Sequence, residues 1–262
     1  MAFRFLLIVW LLTESCGWVF ADEVSWQENK STHFIVFAQE QSPFVDDVLR
    51  KAEDVYSDEV GYFGSLPPNG FWTWENRCKV YIYVSAAEYQ SRTGQPDWST
   101  GFADVKRRSI VSYQEAPEFM DSVLPHEMAH LIFREFIEID NRQVPRWLDE
   151  GFAVAQEERM RVSLDEVIHK AVRSNSHIPI RALSQVGSLQ SRPAEQARLF
   201  YSEAQSLTRF LLEKRDPSPF INFCRALRDG NTIEEALRKS YDRDYPNIES
   251  FERAWKRYVL SS

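Results

Sequence analysis

Leu124-Pro125-His126-Glu127-Met128-Ala129-His130-Leu131-Ile132-Phe133 is the stretch on which the reading of this chain turns. Its apolar, helix-forming composition around a His-Glu-x-x-His spacing predicts a helix. Four residues at 1.5 Å rise separate the two imidazoles by about 6 Å along the axis and about 40° around it, so both can reach one ion at about 2.0–2.1 Å. Glu127 sits about 100° round from His126. It therefore misses the ion itself and falls within hydrogen-bond reach of a water beside it, the position of a general base. Pro125 is compatible with a helix if Ser122 is the N-cap, because a proline in the first turn loses no hydrogen bond.

A plain helix whose histidines pack or hydrogen-bond would carry the same five residues, so a third ligand is the deciding feature. Downstream stands Pro145-Arg146-Trp147-Leu148-Asp149-Glu150-Gly151-Phe152-Ala153, which reads as a second helix opened by proline. Glu150 is the candidate ligand. The 20 positions after His130 suffice to end the first helix near Glu138, turn through Asp140 to Val144 and bring the second helix back. Gly151 gives up about 1 kcal/mol of helix propensity. Its gain would be a close approach of two helix backbones around the ion.

Outward from this pair the chain divides by composition. His33 to Ala38, Lys79 to Val84 and Ser109 to Tyr113 are short β-branched and aromatic runs expected to share one sheet. Phe44, Val48, Leu49, Ala52, Val55, Tyr56 and Val60 recur at helical spacing between Pro43 and Gly61 and predict a covering helix. After Pro117 the pattern is helical. Ser163 with Glu166 and Asn231 with Glu234 read as capping boxes, and Gly230 as a helix stop. A stripe of Leu199, Phe200, Ala204, Leu207, Phe210 and Leu211 reads as core, followed by two shorter amphipathic helices. The expected class is α+β: a strand-rich lobe over 22–115 and a mostly α-helical lobe over 116–262, together a single domain with the helix pair between them and a substrate cleft between the lobes.

The 262 residues are 44% hydrophobic, with 31 Lys+Arg against 39 Asp+Glu and a net charge of -8. No summed positive field exists to hold phosphate backbones, so nucleic acid is not an expected partner. A chain of this length buries a core without metal staples, which points any metal toward chemistry. Residues 1–21 have the order of a signal peptide: Arg4, an apolar run from Phe5 to Leu12, a polar break, and small residues suited to cleavage after Ala21. That run is far short of the roughly 20 residues that span a bilayer. Cys16, preceded by Glu14 and Ser15, makes a poor lipid-attachment site. No stable membrane span is expected after cleavage, and the mature chain is expected to be secreted or periplasmic. Cys78 and Cys224 could pair there or remain buried free thiols.

With these residues in view the sequence resembles the gluzincin metallopeptidases, and within them small extracytoplasmic proteins with a peptidase-MA-like domain. The likeness lies in Leu-Pro-His-Glu-Met-Ala-His at 124–130 and Trp-Leu-Asp-Glu-Gly-Phe-Ala at 147–153. A weaker likeness runs through Phe200 to Leu207 and the helical tail to Trp255; over 22–115 it is one of general shape. The resemblance implies a zincin-like fold and one Zn2+ held by His126, His130 and Glu150, with Glu127 as catalytic base and a peptide or protein as substrate. It also makes Tyr201 a candidate donor to the developing oxyanion, against a role as a packing residue beside the apolar stripe.

Other residues read more plainly. Glu157 belongs with Glu158 and Arg159 to a solvated face, or orients a ligand histidine. Gly101-Phe102-Ala103-Asp104 reads as a turn before a hairpin strand in preference to an edge strand that binds an extended peptide. His33, His169 and His177 lack metal spacing and default to surface or capping roles. Trp72 and Trp74 beside Cys78 read as exposed aromatic surface or packing, or equally as the lining of a partner site. Two further readings of function stand beside the peptidase: a non-catalytic envelope binding module, and a zinc amidohydrolase cutting a non-protein amide.

Overall fold

The computed structural model describes residues 25–63, 72–97, 99–138, 141, 144–157, 161–187, 189, 192–213, 216–241 and 244–261. The expected signal segment therefore lies outside the described residues, as do Glu158 and Arg159. In chain order the first elements are β1 (Gln27–Lys30), β2 (Phe34–Ala38), α1 (Pro43–Gly61), β3 (Cys78–Tyr83), α2 (Ala86–Thr93), β4 (Gly101–Asp104) and β5 (Ser109–Tyr113). A π turn over Phe119–Val123 leads into α3 (Leu124–Phe136), followed by α4 (Arg146–Ala155), α5 (Arg161–Arg173), α6 (Ile180–Leu183) and α7 (Ala194–Leu212). The chain ends in α8 (Ser218–Arg228), α9 (Ile233–Tyr241) and α10 (Ile248–Ser261). Among the described residues three helices, not two, follow α7. The class is α+β as expected, a five-stranded sheet followed by a mostly helical part.

By their internal contacts the described residues form two compact units, 25–57 with 72–131 and 58–63 with 132–261. The first unit holds the sheet, ordered β1-β2-β3-β5-β4. β2, β3 and β5 run parallel, while β1 and β4 are antiparallel edges. Alternation along β2 buries Phe34, Val36 and Ala38, and Phe34 meets Tyr56 of α1 and Trp72 edge-on at 5.9 and 5.6 Å. This is the helix-covered face anticipated from the spacing of α1. On the other face Trp26, Tyr81, Tyr83, Phe102 and Tyr113 gather around Tyr89 of α2 and Val111.

Two short segments missed by periodicity become strands. β1 and β4 are four residues each, and so short a run has no pattern to read. Gly101 to Asp104 is thus the edge strand β4 and not the turn favoured from composition: its residues pair antiparallel with β5 from Gly101↔Ser112 to Asp104↔Ser109.

The second unit is helical. α7 packs along α4 and α5, α8 packs on α9, and α10 closes against α5 and α7. Phe63, Phe133, Phe136, Phe152 and Phe220 form a ring cluster with neighbouring centroids 4.6–6.4 Å apart. Gly230 ends α8 in a left-handed turn of φ 86, with Gly230 N–H on Leu227 O and Asn231 N–H on Ala226 O, the paired bonds of a Schellman stop.

The caps depart from expectation in instructive ways. Before α9 the reciprocal box is made by Thr232 and Glu235, one residue later than Asn231 and Glu234. Asn231 instead donates to Ala226 O, since the Schellman turn has already turned it toward α8. Ser163 lies inside α5, which starts at Arg161, and so is not the N-cap of that helix. His177 is buried against Glu252 at 3.2 Å and not on the surface. His33 pairs with Glu53 at 2.6 Å. Trp72 is core whereas Trp74 is 80% exposed. Cys78 and Cys224 are both buried, and neither is in a disulfide. Among the described residues no helix is long and apolar enough to cross a membrane.

Candidate metal centre

The entry to α3 explains how a proline can stand beside the first histidine. Ser122 does not cap the helix. It lies within the π turn, where Ser122 and Val123 both donate to Glu118 O and Leu124 donates to Phe119 O. The wider i→i+5 turn begins the helical path early. It also gives the Pro125 ring room against the carbonyls of the preceding turn, where a tight α-turn would clash. α3 then ends at Phe136, and Glu138 turns the chain at φ 70.

His126 and His130, one turn apart on α3, are both buried. Their Nε2 atoms face each other at 3.2 Å. Two nitrogens held at 2.0–2.1 Å by one tetrahedral ion would lie about 3.3–3.4 Å apart, so this spacing already suits zinc. Glu150, buried in α4, completes the group: one ligand atom from each of His126, His130 and Glu150 lies within 4.8 Å of the others. Two imidazoles and one carboxylate are the donor set of a hydrolytic zinc site that keeps a position open. The buried His126-His130-Glu150 cluster could hold a metal ion.

Glu127 is fully buried, and its Oε2 accepts the backbone N–H of Ala103 at 2.9 Å. That amide points away from β5 because residues alternate along an antiparallel strand, and it is available only because 101–104 is an edge strand. The same residue acts on Tyr89. Burial pushes the Tyr89 hydroxyl well above the ordinary phenol range, its hydrogen bond to Ser99 at 2.7 Å opposes the rise, and the Glu127 charge adds to it.

α4 carries two adjacent buried acids, each with its own arginine. Asp149 Oδ2 accepts Arg134 Nε at 2.8 Å. Glu150 Oε1 accepts Arg146 Nε at 3.0 Å. A negative pair that would otherwise repel is thereby neutralised residue by residue. Trp147, fully buried, donates to Ser184 Oγ at 3.0 Å and anchors the other side of α4. Gly151 does permit a close helix approach, but to α7 and not to α3: an added Cβ would meet Ala204 O at 2.2 Å.

Tyr201 is half-buried on α7, edge-on to Phe200 at 5.6 Å. Glu157 is buried and so is not part of a solvated face. The residues that sequence reading missed are Ala103, hidden in a four-residue strand, and Arg146. The latter stood in the quoted motif one helical turn before Glu150, and the i,i+4 rule for opposite charges was the signal that could have found it.

A helix-borne His-Glu-x-x-His gathered with a glutamate from the next helix, in an α+β chain, defines a metallopeptidase-like protein. The chain belongs to the peptidase MA superfamily, whose family model matches residues 73–261 and so takes in both α3 and α4. None of the curated proteins matches the chain.

Proposed function

We propose that this chain is a zinc-dependent metallopeptidase of gluzincin type that hydrolyses peptide bonds in peptide or protein substrates outside the cytoplasm, with residues 22–262 as its working unit after removal of a signal peptide. The observation that carries the reading is the convergence of His126, His130 and Glu150 in a buried position, next to Glu127 on the same helix. One Zn2+ bound there would polarise the scissile carbonyl and lower the pKa of water toward about 7. Glu127 takes the proton from the attacking water and passes it to the departing amine as the C–N bond breaks. With Oε2 held by the Ala103 amide, Oε1 is the oxygen that carries the proton. Tyr201 is assigned as donor to the oxyanion that develops on the carbonyl.

Retention of Glu127 favours hydrolysis over metal storage, since a storage site has no use for a base. The test is zinc content and hydrolysis of a mixed peptide library by the purified chain, compared with Glu127→Gln. About one zinc is expected in both proteins, with cleavage by the parent alone and a loss of at least about 10²-fold in kcat. Zinc binding without any Glu127-dependent peptide cleavage would remove the peptidase reading in favour of the binding module or the non-protein amidohydrolase.

A further inference from the structure

A carboxylate can meet a metal ion with one oxygen or with both, and the choice decides whether a position stays open for water. The surroundings of Glu150 bear on that choice. Arg146, one turn earlier on α4, directs two nitrogens at a single oxygen: Nε lies 3.0 Å and Nη2 2.9 Å from Oε1. Its third nitrogen, Nη1, donates to Gly187 O at 2.9 Å, which fixes the plane of the guanidinium. Both side chains are largely buried, at 16% and 3% exposure, so the pair is little screened by water. Arg146 is not needed to neutralise the neighbouring Asp149, which has Arg134. An arginine free to choose commonly grips both carboxylate oxygens in parallel. Here it takes only one.

We propose that Arg146 is a positioning residue that makes Glu150 a one-oxygen ligand. By claiming Oε1 from a guanidinium anchored on Gly187, it turns Oε2 to the ion and prevents the carboxylate from closing on it with both oxygens. The coordination number is thereby held at three protein ligands, with one corner left for water. Without Arg146 the carboxylate rotates about its terminal torsion, a soft and roughly two-fold coordinate, and reaches the ion with both oxygens. The inference rests on the metal reading above and concerns only how Glu150 serves it.

The experiment uses the whole chain loaded with Co2+ or Zn2+ and does not depend on turnover. Zinc affinity is measured by competition with a chromogenic chelator, and cobalt geometry by the strength of the visible d–d bands, which are intense for four-coordinate and weak for six-coordinate cobalt. The parent is expected to give intense bands. Arg146→Met is expected to weaken them and to lower zinc affinity by about 10–100-fold; because it also takes this arginine from the buried Glu150, the metal-free variant is expected to unfold at a lower temperature than the metal-free parent, and bands and affinity are read below that temperature. Arg146→Lys, which keeps the charge but not the two-nitrogen grip, is expected to restore affinity in part and the bands not at all. Unchanged bands and affinity in a folded Arg146→Met would overturn the inference and leave the metal reading intact, whereas a parent that binds no metal would remove that reading itself. If the variant does not fold, X-ray absorption at the zinc edge of the parent decides: a single carboxylate oxygen at bonding distance supports the assignment, and two oxygens refute it.

Discussion

A Cβ atom on Gly151 would sit 2.2 Å from the carbonyl oxygen of Ala204. Ala204 O belongs to the backbone of α7 and cannot rotate aside, so α4 crosses α7 at a distance open only to glycine. The neighbouring residue, Glu150, is the carboxylate that meets the two histidines, and the crossing therefore fixes where that carboxylate starts from.

Gly151→Ala consequently tests the scaffold and not the chemistry. Helix propensity alone would favour alanine by about 1 kcal/mol. The backbone clash reverses the sign, and a net loss of about 1–3 kcal/mol is expected in denaturant unfolding. A variant as stable as the parent would mean that α7 can withdraw freely, contrary to the packing described.

Arg134 and Asp149 make a buried ion pair with nitrogens 2.6 and 2.8 Å from one oxygen. Arg134→Met takes this arginine from the buried Asp149 and should cost about 3–5 kcal/mol, while adding Asp149→Leu should recover most of the loss. Thermal or denaturant unfolding of the two single variants and the double variant measures the coupling; additive losses would show that the pair does not act as a unit.

The Glu203 carboxyl is pushed up to about 8, first by burial, against the hydrogen bond from Ile178 N–H, with Glu252 raising and Lys256 lowering it. Between the ordinary glutamate value, about 4.3, and that value the folded chain holds a proton that the unfolded chain has released. The contribution to stability is therefore fully present below the ordinary value and declines as pH rises to about 8, at up to about 1.4 kcal/mol per unit. Glu203→Gln keeps the oxygen that accepts from Ile178 and cannot ionise. It should be more stable than the parent at pH 8, with the difference vanishing in acid. Parallel stability profiles for the two proteins would refute the assignment.

Tyr201→Phe separates an oxyanion donor from a packing ring. Loss of the hydroxyl is expected to lower kcat by about 10²–10³-fold with KM and unfolding temperature little changed. Full activity with reduced stability would make Tyr201 only the neighbour of Phe200.

Chelation of the metal should end hydrolysis while leaving the far-ultraviolet circular dichroism unchanged, because the sheet and helices bury their own core. The unfolding temperature should fall only by the binding contribution, which grows with free metal concentration. Collapse of helical signal on chelation would instead assign the metal a structural role.

What could be read without coordinates was whatever repeats within a few residues. The 3.6-residue recurrence from Phe44 to Val60 marked α1, β-branched runs marked β2, β3 and β5, and the spacing of His126, Glu127 and His130 put them on one helix in their relative orientations. These are properties of neighbouring residues along the backbone, and local geometry alone enforces them. Tertiary structure decided the rest. A four-residue strand such as β4 exists only through its ladder with β5, so Ala103 could not be foreseen as the amide that holds Glu127. The helix that Gly151 admits is α7, met at Ala204, more than fifty residues away in sequence. Arg146 was visible as a possible partner of Glu150, but its grip on one oxygen depends on Gly187 O, supplied by a loop 41 residues further on. Contacts between distant segments arise when buried polar groups must find partners and helices must fill space together, and no short window of sequence contains both sides of such a bond.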